Sequence, residues 1–265
     1  MEYENLIVER KGHVATVQFN RPDKLNTLSI EMMHEIDSLA KSFEEDENTR
    51  AVIFTGSGKN FCAGVDLNDH MESEDVKEAS MLMKLRKVRI GPQMIRSIYE
   101  INQITIAAIN GFALGGGACI AAACDFRIGA EGCKAGFPEV NLAMNLSWLS
   151  LPLVVHLIGP ARAKHMVISA DRIEAEELFK WGFLDKLVPF QNLMKSAMEM
   201  AEVYASKPPL AAQMVKRSVN AISSALDQAI MHMDSDQFMY ATSGEDFLEA
   251  VKAFFEKRKG IFKGN

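Results

Sequence analysis

The chain has 265 residues, 48% hydrophobic and 24% charged, ordinary proportions for a globular protein with enough chain to bury a sizeable core. Its 29 basic and 35 acidic side chains leave a formal net charge of -6. That balance excludes a general nucleic-acid binder, because counterion-release binding needs a basic surface, but leaves room for one local cationic contact. The four cysteines, Cys62, Cys119, Cys124 and Cys133, form no CxxC pair and are too few for a disulfide scaffold. The first residues lack the cationic and apolar regions of a secretory leader, so the expected location is cytoplasmic, with reduced thiols.

In chain order, residues 6–8 and 14–19 predict a hairpin around Lys11-Gly12. Ser29 is placed to cap a helix whose apolar positions are Met32, Ile36, Leu39, Ala40 and Phe43. An acidic run at 44–48 ends it, and residues 51–55 read as a buried strand closed by Gly56. The loop Phe61-Cys62-Ala63-Gly64-Val65-Asp66-Leu67 follows, then one long polar helix over much of 75–101. Residues 104–124 carry no charge and imitate a membrane span. Asn110-Gly111 and Gly115-Gly116-Gly117 would interrupt a single helix, so a buried strand and then a short buried helix are predicted, and no membrane partner. Strands alternating with helices indicate an α/β fold. Beyond about 188 only helices are expected, broken at Pro208-Pro209 and near Ser243-Gly244. The organisation expected is a core over 1–190 and a helical region over 191–265.

Three features carry chemistry. Glycine-containing loops after buried strands let a ligand approach the backbone closely, and first-turn helix amides lack partners within the helix. Two such amides aimed at one oxygen would form an oxyanion hole; pattern alone leaves open whether these loops are merely tight connections. Glu139 is the lone charge in a stretch otherwise uncharged from 135 to 155, and burial raises a carboxyl's pKa toward the range of a general acid or base. A capping or salt-bridged glutamate is the alternative. The six histidines form no HxxxH or HExxH pair, so no metal site is expected. Cys119, near the start of an apolar helix, is either an activated thiol or buried filler. The dinucleotide fingerprint lacks its last glycine at 115–120, and Thr55-Gly56-Ser57-Gly58-Lys59 fails as a phosphate loop.

Taken in order, Arg21-Pro22-Asp23-Lys24-Leu25-Asn26, Phe61 to Leu67, Ile109-Asn110-Gly111-Phe112-Ala113-Leu114-Gly115-Gly116-Gly117, Cys124-Asp125-Phe126-Arg127-Ile128 and the tail Ala253-Phe254-Phe255-Glu256-Lys257 closely resemble the enoyl-CoA hydratase/isomerase family, the crotonase superfamily. The resemblance implies a crotonase-like spiral of β-β-α units with a C-terminal helical trimerisation region, and a homotrimer or a hexamer. It implies that the amides of Val65 and Gly116 hold the thioester carbonyl of an acyl-CoA. It places Lys24, Leu25, Ala63, Asp66 and Leu67 along the CoA, and Phe254 and Lys257 at a neighbouring subunit's CoA. No separate cofactor is implied, CoA being part of the substrate. Family hydratases use two glutamates. The second is present as Glu139, while Cys119 stands at the place of the first. One carboxylate favours a Δ3–Δ2 enoyl-CoA isomerase, with Trp148 against the acyl group. Hydration, helped by water on Asn141 or Asn145, is the alternative, beside decarboxylation, hydrolysis or a non-catalytic acyl-CoA binder. The acyl-pocket wall is expected between about 69 and 98.

Overall fold

The computed structural model describes residues 3–67 and 79–265. Strands β1 (Leu6–Lys11) and β2 (Val14–Phe19) form the expected hairpin, Leu6 facing Phe19 and Lys11 facing Val14. Helix α1 (Ile30–Ser42) starts where Ser29 accepts the Met32 amide at 3.1 Å, a cap worth about 1 kcal/mol. It buries Met32, Met33, Ile36, Leu39 and Ala40, the i, i+3, i+4 stripe that docks an amphipathic helix. Strand β3 (Ala51–Gly56) is buried throughout.

The single long helix expected over 75–101 is two helices among the described residues, α2 (Met81–Val88) and α3 (Ile90–Tyr99); positions 75–78 lie outside them. Pro92 explains the break. It has no N–H to give the carbonyl of Val88, so it is accommodated in the first turn of a new helix instead of the middle of an old one. Strands β4 (Ile104–Ile109) and β5 (Phe112–Leu114) precede helix α4 (Gly116–Ala123), then come β6 (Phe126–Ala130) and β7 (Lys134–Gly136). Helix α5 (Ser150–Ile168) is kinked at Gly159 (φ 78°, ψ 162°). Strand β8 (Ile173–Glu174), helix α6 (Ala175–Trp181) and strand β9 (Lys186–Val188) complete the alternation.

The main sheet has the order β1-β2-β3-β4-β6-β9, parallel except for the hairpin, and β5-β7-β8 forms a second, small sheet. Both faces of the main sheet are covered, so its central strands read as continuous apolar runs. Val52 and Phe54 face the larger core with α1 and α3, whereas Ala51 and Ile53 face a smaller one closed by Leu193, Ala197 and Ala201. Those last residues belong to α7 (Leu193–Ala205), the first of the C-terminal helices; α8 (Pro209–Ser223), α9 (Gln228–Met231), α10 (Asp234–Ala241) and α11 (Glu245–Phe255) follow. No described strand lies beyond Val188, and helix boundaries fall at Pro208 and Gly244 as expected. Lys216 is the buried residue of α8: its Nζ meets the Gln103 carbonyl at 2.8 Å and Asp125 Oδ2 at 2.7 Å. That contact fastens the helix to the start of β4.

Candidate active site

The site assembles from the loops that leave the carboxyl ends of the neighbouring strands β3 and β4, where ligands of parallel sheets collect. Two buried asparagines set those loops. Asn26 accepts the Arg21 amide at 2.9 Å and donates to the carbonyls of Ser57 and Asn60 at 3.0 and 2.7 Å. Asn110 donates to the carbonyls of Gly56 and Gly58, both at 3.0 Å. The loops then run side by side, Cys62 donating to Phe112 O and accepting from Leu114 N, each at 2.9 Å.

Beyond that bridge both chains turn at a glycine. Gly64 sits at φ 100° and Gly115 at φ 50°, ψ -122°, conformations that a Cβ makes costly. Space closes them as well: a Cβ on Gly64 would come 3.1 Å from the Leu114 carbonyl oxygen, and one on Gly115 would come 3.1 Å from Glu139 Oε1 and 3.7 Å from Gly64 Cα. The two loops and the glutamate therefore meet at one point.

The amide directions follow from the hydrogen bonds on either side. Ala63 N–H donates to Leu25 O at 3.1 Å, Leu28 N–H to Gly64 O at 2.8 Å, and Asp66 N–H to Leu28 O at 3.0 Å. In the trans peptide after Gly64 the N–H points opposite to the carbonyl that Leu28 holds, so Val65 N–H is directed away from the 25–28 segment. Gly115 spends its own amide on the Gly136 carbonyl at 2.9 Å. Gly116 is the first residue of α4, where amides lack an intrahelical acceptor and the helix end carries partial positive charge.

Glu139 lies in a one-turn 3₁₀ helix, Pro138–Leu142, that follows β7. Its carboxyl is enclosed, Oε2 has no hydrogen-bond partner among the described residues, and burial pushes its pKa up to about 7. No cation offsets that shift; the group's own backbone hydrogen bond is the one contribution that lowers it. This is neither a capping nor a salt-bridged glutamate. Asn145, six residues on, has a second buried acceptor without a partner among the described residues, Oδ1, while its Nδ2 reaches Gln237 at 3.4 Å.

Cys119 faces the same interior and is not an activated thiol. Burial raises its pKa well above the usual value, and the nearby negative charge of Glu139 raises it further, which disfavours a thiolate. The half-buried indole of Trp148 lies between Gly91 of α3 and Gly116: a Cβ on Gly91 would strike the ring at Cε2, and one on Gly116 would come 2.7 Å from Cζ3. Of the stretch 69–98, where the acyl-pocket wall was expected, Gly91 packs on this indole and residues 69–78 lie outside the described residues. Sequence reading missed what holds Trp148: Asp234 of α10 is buried and accepts the Leu149 amide at 2.7 Å.

The residues expected along the CoA fall into one group. Lys24, exposed, stands 3.6 Å from the buried carboxylate of Asp66, which Arg21 meets at 3.0 Å. Leu25 is exposed with φ 54°, and Ala63 and Leu67 are half-buried beside them. Phe254 and Lys257 sit elsewhere, exposed at the end of α11. That helix, whose buried residues are Ala250 and Ala253, runs against the Pro138–Leu142 turn of its own chain. Among the described residues no three potential metal ligands cluster, and no helix is long and apolar enough to cross a membrane.

The α/β fold, the two glycine turns and the buried acid are the features from which the motif resemblance implies an acyl-CoA enzyme. The chain belongs to the enoyl-CoA hydratase/isomerase family, whose model matches residues 9–265. It is similar to the short-chain-enoyl-CoA hydratase of Clostridium acetobutylicum, with 35% identity over 98% of this chain and 97% of that protein. It is equally similar to the crotonyl-CoA hydratase of Syntrophomonas wolfei, 35% identical over 99% of both chains. Among solved structures, an enoyl-CoA hydratase from Bacillus anthracis superposes with a TM-score of 0.77 at 33% identity, over 99% of this chain and all of that one. The crotonase-like fold expected from the motifs is the fold observed.

Proposed function

We propose that the protein hydrates a 2-enoyl-CoA thioester. The observation that carries this reading is the buried Glu139 Oε2, without a partner among the described residues and set beside the Gly64 and Gly115 turns, in a chain whose similar relatives bear hydratase names. The motifs alone had favoured isomerisation, because one family glutamate is replaced by Cys119; the relatives' names move the choice to hydration.

One carboxylate is sufficient for the atoms. Glu139 accepts a proton from water as the water oxygen adds to C3, and the double-bond electrons pass to the thioester oxygen. The Val65 and Gly116 amides stabilise that enolate, each such donor being worth about 3–4 kcal/mol. The enolate then collapses, C2 takes the proton back from Glu139, and the carboxylate is restored with one water added across the bond. A pKa of about 7 suits a group that must both accept and return a proton near neutrality. The orphaned Asn145 Oδ1 is an acceptor suited to orienting that water. Lys24, Leu25, Ala63, Asp66 and Leu67 would lie along the CoA.

Cys119 supports one second reading, a Δ3–Δ2 shift in which Glu139 takes a proton from C2 and returns it at C4. Crotonyl-CoA in water and a 3-enoyl-CoA are assayed side by side. Hydration of the first is expected; a double-bond shift without hydration selects the isomerase, and neither reaction rejects both.

A further inference from the structure

Trp148 and Leu149 are both left-handed, at φ 58° and 59°, a conformation that is uncommon for residues with side chains and persists only where the surroundings enforce it. Here they do. Leu149 N–H is held by Asp234 at 2.7 Å, and Ser150 Oγ donates to the Trp148 carbonyl at 2.9 Å. The strain has a visible result: it lays the indole against Gly91 and Gly116, neither of which has room for a Cβ. On the acyl-CoA reading above, with CoA along Lys24 and Asp66, a thioester carbonyl bound by the Val65 and Gly116 amides would send its acyl carbons away from that pair. The indole packs against Gly116, the residue that would supply the second amide.

We propose that Trp148 closes the acyl end of the site and restricts the enzyme to short acyl chains, with Asp234 as the positioning residue that holds the indole there. This rests on the acyl-CoA reading above and deepens it by assigning the substrate class. Removing the indole opens the space between α3 and α4 to further methylenes, and discrimination of about tenfold or more per step is within reach of such a pocket.

The test compares kcat/KM for crotonyl-CoA and dodecenoyl-CoA in the full-length wild type, Trp148→Ala, Asp234→Ala and Asp234→Asn. Wild type should prefer crotonyl-CoA. Trp148→Ala should raise the dodecenoyl-to-crotonyl ratio about tenfold or more, mainly through a lower KM for the long chain. Asp234→Ala should move the ratio the same way, and Asp234→Asn, whose amide oxygen still accepts from Leu149, should restore it. A wild type indifferent to chain length, or a folded Trp148→Ala with an unchanged ratio, overturns the proposal. So does Asp234→Ala that loses kcat equally on both substrates. Calorimetric binding of butanoyl-CoA and dodecanoyl-CoA reads the same preference without turnover. Preference without hydration overturns the reaction alone, and hydration without preference overturns the pocket alone.

Discussion

Glu139 combines a carboxyl desolvated by burial with an oxygen, Oε2, that has no partner among the described residues, and each has a measurable consequence. Its pKa rises from 4.5 unfolded to about 7 folded. Stability is therefore complete while the carboxyl is protonated, falls as pH climbs from about 4.5 to about 7, and is level above. Glu139→Gln removes that cost: chemical denaturation should find the variant more stable than wild type by up to about 3 kcal/mol at pH 8, and by little at pH 5. Turnover should move oppositely. The wild-type kcat/KM should rise with pH to a midpoint near 7, and Glu139→Gln should lose about a thousandfold in kcat while still binding acyl-CoA. At this scale the sequence was informative, because an acid alone in an uncharged stretch is conspicuous. Gly115 is equally exacting: Gly115→Ala should cost both stability and rate, since its Cβ meets Glu139 Oε1 and its backbone is strained. Asp234 was not legible, because nothing local distinguishes a carboxylate whose partner lies 85 residues away.

Among the elements, those with a complete local signature were readable. The hairpin has its glycine turn, α1 its serine cap, and α8 its proline start. Strands β5, β7 and β8 were not, since two or three residues are too few to show an alternation. Their existence depends on pairing across the chain, Phe112 with Lys134 and Ala135 with Ile173. The Lys216–Asp125 pair is another contact invisible in sequence. With Lys216 Nζ and Asp125 nearly enclosed, Lys216→Ala leaves a buried carboxylate short of its cation and should destabilise the protein by about 3 kcal/mol in equilibrium unfolding.

On the scale of the whole molecule, α8 is inverted relative to an ordinary surface helix. Lys216 points inward, whereas Leu210, Met214, Val215, Val219 and Ile222 point outward, Ile222 with 79% exposure. An apolar face of that kind marks an interaction surface. The occupant that the family resemblance implies, and that we propose, is further copies of this chain in a trimer or hexamer; the tail residues Phe254 and Lys257 would then reach a neighbour. Val219→Glu combined with Ile222→Glu should give a smaller species in sedimentation velocity. Weaker acyl-CoA binding in that species is expected if the tail does serve the adjacent site; unchanged binding assigns it to structure alone. Composition and motif order foretold the architecture, but not that α11 would lie beside the Glu139 turn of its own chain.

The bond from Leu149 to Asp234 also dictates when competence arises during synthesis. A polypeptide still emerging, with Gly64, Gly115 and Glu139 already translated, has not yet made the Asp234 acceptor of the Leu149 amide, and of the two hydrogen bonds at the left-handed pair only that from Ser150 to the Trp148 carbonyl can form. If Trp148 does set chain length, a ribosome-tethered fragment ending before residue 234 should lack that selection even where its sheet has formed.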